Sequence, residues 1–455
     1  MTTRLASPEG RWILATTILG SGIAFLDGSI VTLALPAIDD DLGAGVAGLQ
    51  WVVNGYTLAL AGLILVGGSL GDRLGRRSVY VAGVTLFAAS SVVCAAAQTI
   101  EVLVAARIVQ GVGGALLTPG SLAILSATFD DVDRGRAIGL WSGMSGVTTA
   151  IGPLIGGWLV DHVGWEAIFW INVPLAVAVV VMALRHVPES RGGRERLDVV
   201  GAGLTMAGLA LLTWGLVEES WMWGLVGGAV LIAFVVHQAV TPHALVPLQL
   251  FADRVFTAAN LCTFAIYGAL AGSGFLLVLQ LQYVAGFSPV EAGLASIPAT
   301  LIMLLFSSRA GALGVRIGPR LPMTVGPLIA AAGLVMWLPI DESTRFLTGV
   351  LPGAVIFGIG LTTLVAPLTT AVLATVPAER TGIASGINNA VARSASLLAV
   401  AAIPPLAGIT GADFADPDVF APGFRIGTGI CIGLLVVGGV LAAALLRAHD
   451  TEDVS

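Results

Sequence analysis

Asp27 is the only acidic residue of this chain that lies deep within an apolar stretch. It comes twelve residues, about 18 Å of helix, before Asp39 and sixteen residues after Arg11. A carboxylate at that depth is costly while charged, so it takes up a proton when dry and releases it when wetted or paired. Such a group can carry protons, although the same residue can instead be a satisfied polar contact that fixes helix packing.

A permanent positive charge lies in another apolar stretch, which reads Arg107-Ile-Val-Gln-Gly-Val-Gly-Gly-Ala115. An arginine inside a membrane needs a partner or water. Asp27 is the natural candidate, although the rise of a helix separates the two residues by about 9 Å in depth. Because Arg107 is only six residues from Glu101, its side chain can alternatively extend outward to the membrane surface.

The composition requires that most of the chain face lipid. Of 455 residues, 56% are hydrophobic and 11% charged, with a mean hydropathy of +0.94. A water-soluble core cannot hide that much apolar surface. The first apolar run is too long for a signal sequence and is expected to stay as a helix. The three cysteines fall in predicted spans, where packing is their expected role.

Hydropathy predicts about fourteen membrane-spanning helices, and therefore an all-α membrane protein. Six form a first set, two follow, and six form a last set. The predicted spans are 12–36, 49–70, 78–97, 101–126, 135–160, 165–184, 198–217, 220–240, 255–283, 290–308, 320–340, 345–372, 380–407 and 424–446.

Arginine placement predicts the orientation. With the amino terminus in the cytoplasm, 17 of the 21 basic residues, all arginines, fall on cytoplasmic segments, and two, Arg345 and Arg425, fall outside. An even number of spans then returns both termini to the cytoplasm. We expect a multi-pass protein of the bacterial cytoplasmic membrane.

A repeat predicts how the spans are grouped. Five positions recur at a constant offset of 243 residues, which indicates two parallel homologous bundles. We expect an amino-terminal bundle at 1–190, a linker with two additional helices at 191–250, and a carboxy-terminal bundle at 251–455. The pairs are Gly68 and Gly311, Leu70 and Leu313, Arg73 and Arg316, Gly75 and Gly318, and Arg77 and Arg320.

Two glycine-containing segments have spacings that favour close helix contact. Gly68-Ser-Leu-Gly-Asp-Arg-Leu-Gly-Arg-Arg77 predicts a tight turn in which Asp72 and Arg73 can pair across helix ends. Gly143-Met-Ser-Gly-Val-Thr-Thr-Ala-Ile-Gly-Pro-Leu-Ile-Gly-Gly157 places Gly152 and Gly156 in GxxxG spacing, with a bend at Pro153. A generic basic loop and generic small-residue packing are the simpler explanations.

Together these segments resemble the major facilitator superfamily, and in particular its fourteen-helix drug:proton antiporters. Three further stretches support the likeness: Leu26-Asp-Gly-Ser-Ile-Val-Thr-Leu-Ala-Leu-Pro36, Gln50-Trp-Val-Val-Asn-Gly-Tyr56 and Phe169-Trp-Ile-Asn-Val-Pro174. Later in the chain, Arg380, Gly386, Asn388 and Arg393 fit the family's helix-thirteen pattern, whereas Ser394 replaces its more usual glutamine.

The resemblance implies a role for each segment. The loop would be a gate latch formed by Gly68, Asp72, Arg73, Gly75 and Arg76. Arg107 would share proton handling with Asp27, and export would be indicated by an antiporter motif at Gly143, Gly146, Gly152, Pro153, Gly156 and Gly157. By analogy with the fold, residues facing the substrate cavity would be Trp51, Asn54, Tyr56, Asn260, Tyr267, Gln280, Thr362 and Thr363.

The resulting hypothesis is a proton-coupled exporter of drugs or antibiotics, namely hydrophobic or cationic amphiphiles, that works by alternating access. Its partners would be the small-molecule substrate, protons and the lipid bilayer, without nucleic acid, and we expect a monomer. The proton gradient takes the place of a cofactor, and because the sequence contains no lysine, a lysine-bearing ATP-binding loop is excluded. The alternative transporter is a dedicated exporter of one endogenous metabolite or lipid-like amphiphile. An intramembrane enzyme would need paired acids, a nucleophile with a base or a metal cluster, none of which the sequence provides.

Overall fold

Apolar helices dominate the computed structural model, which describes residues 3–192, 198–374, 381–411, 414 and 416–446. Only helices and closed barrels satisfy the hydrogen bonds of their backbone N–H and C=O groups in lipid, and this sequence forms helices. Outside the helices, the described residues contain an isolated β-bridge between Thr3 and Phe129. Four of the cytoplasmic arginines that predict the orientation lie outside the described residues, namely Arg194, Arg196, Arg380 and Arg447.

The chain divides into two compact units, Met1–Leu245 and Val246–Ser455. The described α-helices of the first unit are α1 Pro8–Ile30, α2 Leu35–Leu42, α3 Gly45–Leu74, α4 Arg76–Ala95, α5 Ile100–Thr128, α6 Asp131–His162, α7 Ala167–Trp170, α8 Asn172–His186, α9 Val199–Val217 and α10 Trp221–Val240. A short 3₁₀ turn, Val31–Ala34, joins α1 to α2.

The described α-helices of the second unit are α11 Arg254–Leu279, α12 Pro289–Leu294, α13 Ile297–Ile317, α14 Arg320–Val335, α15 Leu351–Ala374, α16 Thr381–Leu406 and α17 Pro417–Leu445. One π-helical turn, Gln280–Val284, extends α11, and another, Phe346–Val350, precedes α15.

The predicted spans agree with these helices. Among the described residues, 13 helical segments are long and apolar enough to cross a membrane. The one remaining predicted span, 320–340, contains the 16-residue helix α14, which falls short of that length. Polar side chains begin several helices: Ser7 accepts from Gly10 N at the start of α1, and Asp130 accepts from Asp133 N at the start of α6.

The helices of the first unit pack around α1 and α5. Tyr80 of α4 donates to Thr16 O in α1, and Ser21 of α1 donates to Ser121 in α5 at 2.8 Å. Trp141 of α6 donates to the same Ser21 hydroxyl at 3.0 Å. One side of α1 is therefore fixed to three helices within about two turns.

The inserted pair α9 and α10 packs within the first unit. Trp214 of α9 lies 5.6 Å from Trp51 of α3, and Met206 packs against Gly62. Asp198 accepts hydrogen bonds from Gly201 N, His237 and Gln238, so it joins the start of α9 to the end of α10. Burial raises the pKa of Asp198, but these hydrogen bonds outweigh it and leave the pKa below its ordinary value. These hydrogen bonds connect α9 directly to α10.

Candidate functional site

Asp27 and Arg107 form an ion pair inside the first unit. Arg107 Nη1 lies 2.6 Å from Asp27 Oδ2, and each residue is 1% exposed. The contact excludes the alternative in which Arg107 extends to the membrane surface. Helix rise alone separates the two residues in depth, and the long guanidinium side chain spans that difference.

Both oxygens of the Asp27 carboxylate are hydrogen-bonded. Oδ2 accepts from Arg107, while Oδ1 accepts from Gln110 Nε2 at 2.9 Å and from Asn172 Nδ2 at 3.1 Å. Gln110 and Asn172 also donate to the Ser91 hydroxyl, at 2.9 and 3.3 Å. The carboxylate is therefore held by residues of α5 and α8, which Ser91 of α4 bonds in turn, as its burial requires.

Arg107 makes further contacts that stabilise its positive charge. Its Nε donates to Val52 O at 3.1 Å, and its Nη1 also donates to Gln110 Oε1 at 2.6 Å. The guanidinium carbon lies 4.6 Å from the centre of the Tyr56 ring and 5.8 Å from that of Phe169. These aromatic faces offer a cation partial negative charge. Arg107 thus keeps several favourable contacts that do not depend on Asp27.

Gln110, Asn172 and Ser91 were not assigned a role from the sequence. Gln110 had a signal, because a spacing of three residues places it beside Arg107 on one face of α5. Asn172 stands in the segment Phe169 to Pro174 that supported the family resemblance. Ser91 had no sequence signal, since serine on an apolar helix is common and only the packing of α4 beside α5 places it here.

The loop between α3 and α4 is held by the segment that follows α8. Asp72 pairs with Arg76 at 2.7 Å rather than with Arg73, whose side chain is exposed, so the predicted pairing of Asp72 with Arg73 is wrong. The reason is geometric, because the turn at Gly75 brings Arg76 back toward Asp72. Gly75 has a φ of +122°, which favours glycine. Gly68, earlier on α3, would place an added Cβ 3.7 Å from Pro119 of α5.

Glu189, in the segment after α8, fixes this loop by binding the start of α4. Its carboxylate accepts from the backbone N–H groups of Arg77 and Ser78 and from the Ser78 hydroxyl. Burial raises the pKa of Glu189, but hydrogen bonds from Ser78, Arg77 and Ser190 outweigh it and hold the pKa below its usual value. A carboxylate at a helix amino terminus is also favoured by the helix dipole.

The GxxxG spacing of α6 packs against α1. Gly152 lies against Ser29, and Gly156 lies against Ile30, so close that an added Cβ would overlap these side chains. Pro153 and Gly157 are also buried. In contrast, Gly143 and Gly146 have no neighbour within 4 Å of an added Cβ. Close packing therefore concentrates at the half of the segment beside Asp27.

The predicted cavity residues of α3 fall in different surroundings. Tyr56 belongs to the Arg107 site, while Trp51 packs against Trp214 of α9. Asn54 is 0% exposed, and neither its amide nitrogen nor its oxygen has a partner among the described residues. An orphaned buried amide is costly, so Asn54 marks a position where water, a substrate or a second conformation can satisfy it.

The predicted cavity residues of the second unit are also dispersed. Asn260 and Tyr267 lie on α11, whereas Gln280 lies twenty residues beyond Asn260, about 30 Å along the helix, and donates to Ile340 O at 2.8 Å. The hydroxyls of Thr362 and Thr363 donate within their own helix, to Gly358 O and Ile359 O. Asn260 and Tyr267 instead lie on the face of α11 that contacts α16. Asn388 of α16 donates to Asn260, and Ser396 donates to Tyr267 O.

A bundle of many apolar helices with a buried acid and arginine defines a multi-pass membrane protein. Comparison with known proteins makes the class specific, because residues 17–400 match the family model described as Major Facilitator Superfamily. The chain belongs to this superfamily.

The curated relatives include resistance and export proteins. The chain is 36% identical, over 82% of its length and 71% of the relative, to the "Tetracenomycin C resistance and export protein" of Streptomyces glaucescens. It is 36% identical to the "Multidrug resistance protein Stp" of Mycobacterium tuberculosis, over 83% of this chain and 72% of that one. It is 30% identical to the "Puromycin resistance protein pur8" of Streptomyces alboniger, over 97% and 92%.

Solved structures support the fold. A D-xylose-proton symporter superposes with a TM-score of 0.67 at 14% identity, covering 96% of this chain and 98% of the other. A proton-dependent oligopeptide transporter gives 0.69 at 15% identity with the same coverage. At these identities the likeness concerns architecture alone.

Proposed function

We propose that the protein exports drugs or antibiotics across the bacterial cytoplasmic membrane in exchange for protons, by alternating access. The observation that carries the proposal is the Asp27 carboxylate, which is buried in a membrane helix and holds Arg107 at 2.6 Å. The names of the curated relatives support export as the direction. Both termini would lie in the cytoplasm, in keeping with the arginine distribution, and the protein would act as a monomer.

Proton binding at Asp27 would disturb the whole site. A proton on Oδ2 removes the negative charge that Arg107 faces, and the hydroxyl so formed needs an acceptor where a donor now stands. Arg107 keeps its contacts to Val52 O, Gln110 and the Tyr56 ring. Separation of Asp27 from Arg107 is therefore favoured on protonation, and since the two residues lie on α1 and α5, helix movement follows.

The close contact of α6 with α1 would transmit this movement. Gly152 and Gly156 press against Ser29 and Ile30, two and three residues beyond Asp27. A shift of α1 at Asp27 must therefore shift α6 or open a gap beside it. The loop of Gly68, Asp72, Arg73, Gly75 and Arg76 would act as the gate latch at the cytoplasmic side, a role supported by the bonds of Arg76 and Glu189 that fix this loop.

The test replaces Asp27 with asparagine, which keeps the shape but does not carry a proton. In everted vesicles energised with a proton gradient, we expect the wild type to accumulate at least one of the dyes ethidium, rhodamine 6G and fluorescein, and Asp27→Asn to accumulate none of them. Asp40→Asn is the matched control, because Asp40 is an exposed acid at the end of α2. Accumulation by Asp27→Asn at the wild-type rate contradicts the proposal.

A second candidate is an exporter dedicated to one compound. Several relatives carry the name of a single antibiotic, as in the tetracenomycin C and puromycin proteins. A panel of unrelated dyes and antibiotics in a pump-deficient host separates the two, because a broad exporter confers tolerance to several of them. The sequence favours hydrophobic or cationic amphiphiles as substrates. The charged residues of the second unit also influence which substrates bind.

A further inference from the structure

Arg393 places a permanent positive charge at the middle of α16. It comes twelve residues after Thr381 and thirteen before Leu406, so about 18 to 20 Å of helix separates it from either end. A charge at this depth is expensive in a membrane protein and usually marks a functional position. Its side chain is half-buried.

Helix α16 is fixed against α11 on both sides of Arg393. Asn388 donates to Asn260 at 3.2 Å and to Thr263 at 2.8 Å. Two turns further on, Ser396 donates to Tyr267 O at 3.5 Å. Arg393 lies one helical turn before Ser396, which places it near the Tyr267 segment of α11. A cation and a phenol therefore lie on neighbouring segments of two packed helices within one unit.

No carboxylate neutralises Arg393 within the described part of the second unit. Its described acids stand in loops and at helix ends, where none bonds to Arg393: they are Asp253, Glu291, Asp341, Glu342, Asp416 and Asp418. The described residues also give Arg393 no hydrogen bond or ion pair, unlike Arg107 of the first unit. Its positive charge is thus available to a ligand.

A polar stripe shows that this face of α16 is not a lipid surface. Ser385, Asn389 and Arg393 follow one another at intervals of four residues, and Ser385 and Asn389 are exposed. Residues four apart share a helix face. Exposed polar groups in a membrane helix face water or a polar path rather than hydrocarbon, so a soluble ligand can reach Arg393.

We propose that Arg393 and Tyr267 form a subsite for the anionic group of an amphiphilic substrate, such as a carboxylate, phenolate or sulfonate. The guanidinium supplies the charge and a forked pair of donors, and the Tyr267 hydroxyl supplies a further donor. In the described structure Asp27 does not compete for a cation, because both of its oxygens are bonded and its charge is compensated. This inference rests on the proposed export function and names its substrate class as anionic.

Two dyes with the same ring system test the sign of the charge. Fluorescein is an anionic xanthene and rhodamine 6G a cationic one, and fluorescence anisotropy measures the binding of each to the detergent-purified full chain. We expect wild type to prefer fluorescein and Arg393→Gln to bind it about tenfold or more weakly, since one charge-assisted hydrogen-bonded contact is lost. Arg393→Lys keeps the charge and should stay within about threefold of wild type.

Arg309→Gln is the matched control. Arg309 is an exposed cation near the end of the α13 span, over the Phe306 ring at 5.5 Å, and its loss should leave both affinities unchanged. Thermal unfolding of each variant shows that it is folded. Unchanged fluorescein binding by Arg393→Gln overturns the subsite, as does a wild type that prefers rhodamine 6G or binds neither dye.

Transport assays separate this inference from the function on which it rests. Proton-driven export of rhodamine 6G by a protein that ignores fluorescein overturns the anionic subsite and leaves the exporter in place. Fluorescein binding that depends on Arg393, combined with no transport of either dye, supports the subsite and contradicts export.

Discussion

The two units treat an arginine within a membrane helix in opposite ways. In the first, Arg107 faces Asp27 at 2.6 Å, and amides of Gln110 and Asn172 complete a closed set of hydrogen bonds. In the second, Arg393 lies near the middle of α16 without a carboxylate partner among the described residues. A closed pair suits a group that exchanges a proton, whereas an open cation suits a ligand that arrives with its own negative charge. The difference suggests a division of labour between coupling and substrate recognition.

Breaking the closed pair should have the largest effect. Arg107→Ala leaves the Asp27 carboxylate buried without its cation, which costs about 3 to 5 kcal/mol for a buried ion pair. We expect loss of transport and a clearly lowered unfolding temperature in detergent. The double variant Asp27→Asn/Arg107→Gln removes both charges and should recover most of the stability without recovering proton-driven transport. If the double variant unfolds as easily as Arg107→Ala, an uncompensated charge is not the cause.

Giving Arg393 a carboxylate partner should have the next largest effect. Asn389→Asp places a carboxylate one turn before Arg393 on the same face of α16, where an ion pair can form. We expect fluorescein binding to weaken about tenfold while the fold is kept. Ser385→Asp, two turns away, is the control and should have a smaller effect. Equal fluorescein binding by Asn389→Asp and wild type would show that the ligand does not bind the charge of Arg393.

A smaller effect is expected where α6 presses on α1. Gly156→Ala puts a methyl group into the Ile30 side chain and should cost about 1 to 3 kcal/mol through overpacking. Gly143→Ala adds the same methyl group where nothing lies within 4 Å and should be neutral or slightly stabilising. Unfolding temperatures of the two variants measure the difference, and equal values would show that the GxxxG contact is not tight.

The smallest effect concerns the loop after α3. Glu189→Gln removes the charge that accepts from Arg77 N and Ser78 N, worth about 0.5 to 2 kcal/mol for a helix-capping contact. Because the folded pKa of Glu189 is lowered, its contribution is present above the unfolded value of about 4.3 and is lost as pH falls below it. The difference in unfolding temperature between wild type and Glu189→Gln should therefore shrink below about pH 4. A difference independent of pH would contradict this sign.

Hydropathy predicted the helices well because lipid leaves the chain few alternatives. The predicted span 198–217 and the helix Val199–Val217 differ by one residue at the start. The length of the helix Arg320–Val335 was overestimated, since apolar residues continue beyond its end into a turn. Length and composition do not show where an apolar segment leaves the helix.

The candidate site was only partly accessible from the sequence. Asp27 and Arg107 were visible because charges inside apolar segments are rare, and Gln110 was visible in principle through its spacing from Arg107. Asn172 and Ser91 depend on how α4 and α8 pack against α5, which no local pattern encodes. Asp72 was assigned the wrong partner because the turn at Gly75, rather than sequence adjacency, decides which arginine returns to it.

Substrate-driven proton movement tests the role of Asp27 most directly. Purified protein in vesicles that contain a pH-sensitive dye is given an outward or inward gradient of a transported substrate, and the change in internal pH is recorded. We predict that wild type moves protons opposite to the substrate, and that Asp27→Asn exchanges labelled for unlabelled substrate but moves no protons. Proton movement in Asp27→Asn at the wild-type rate would contradict Asp27 as the proton-carrying group.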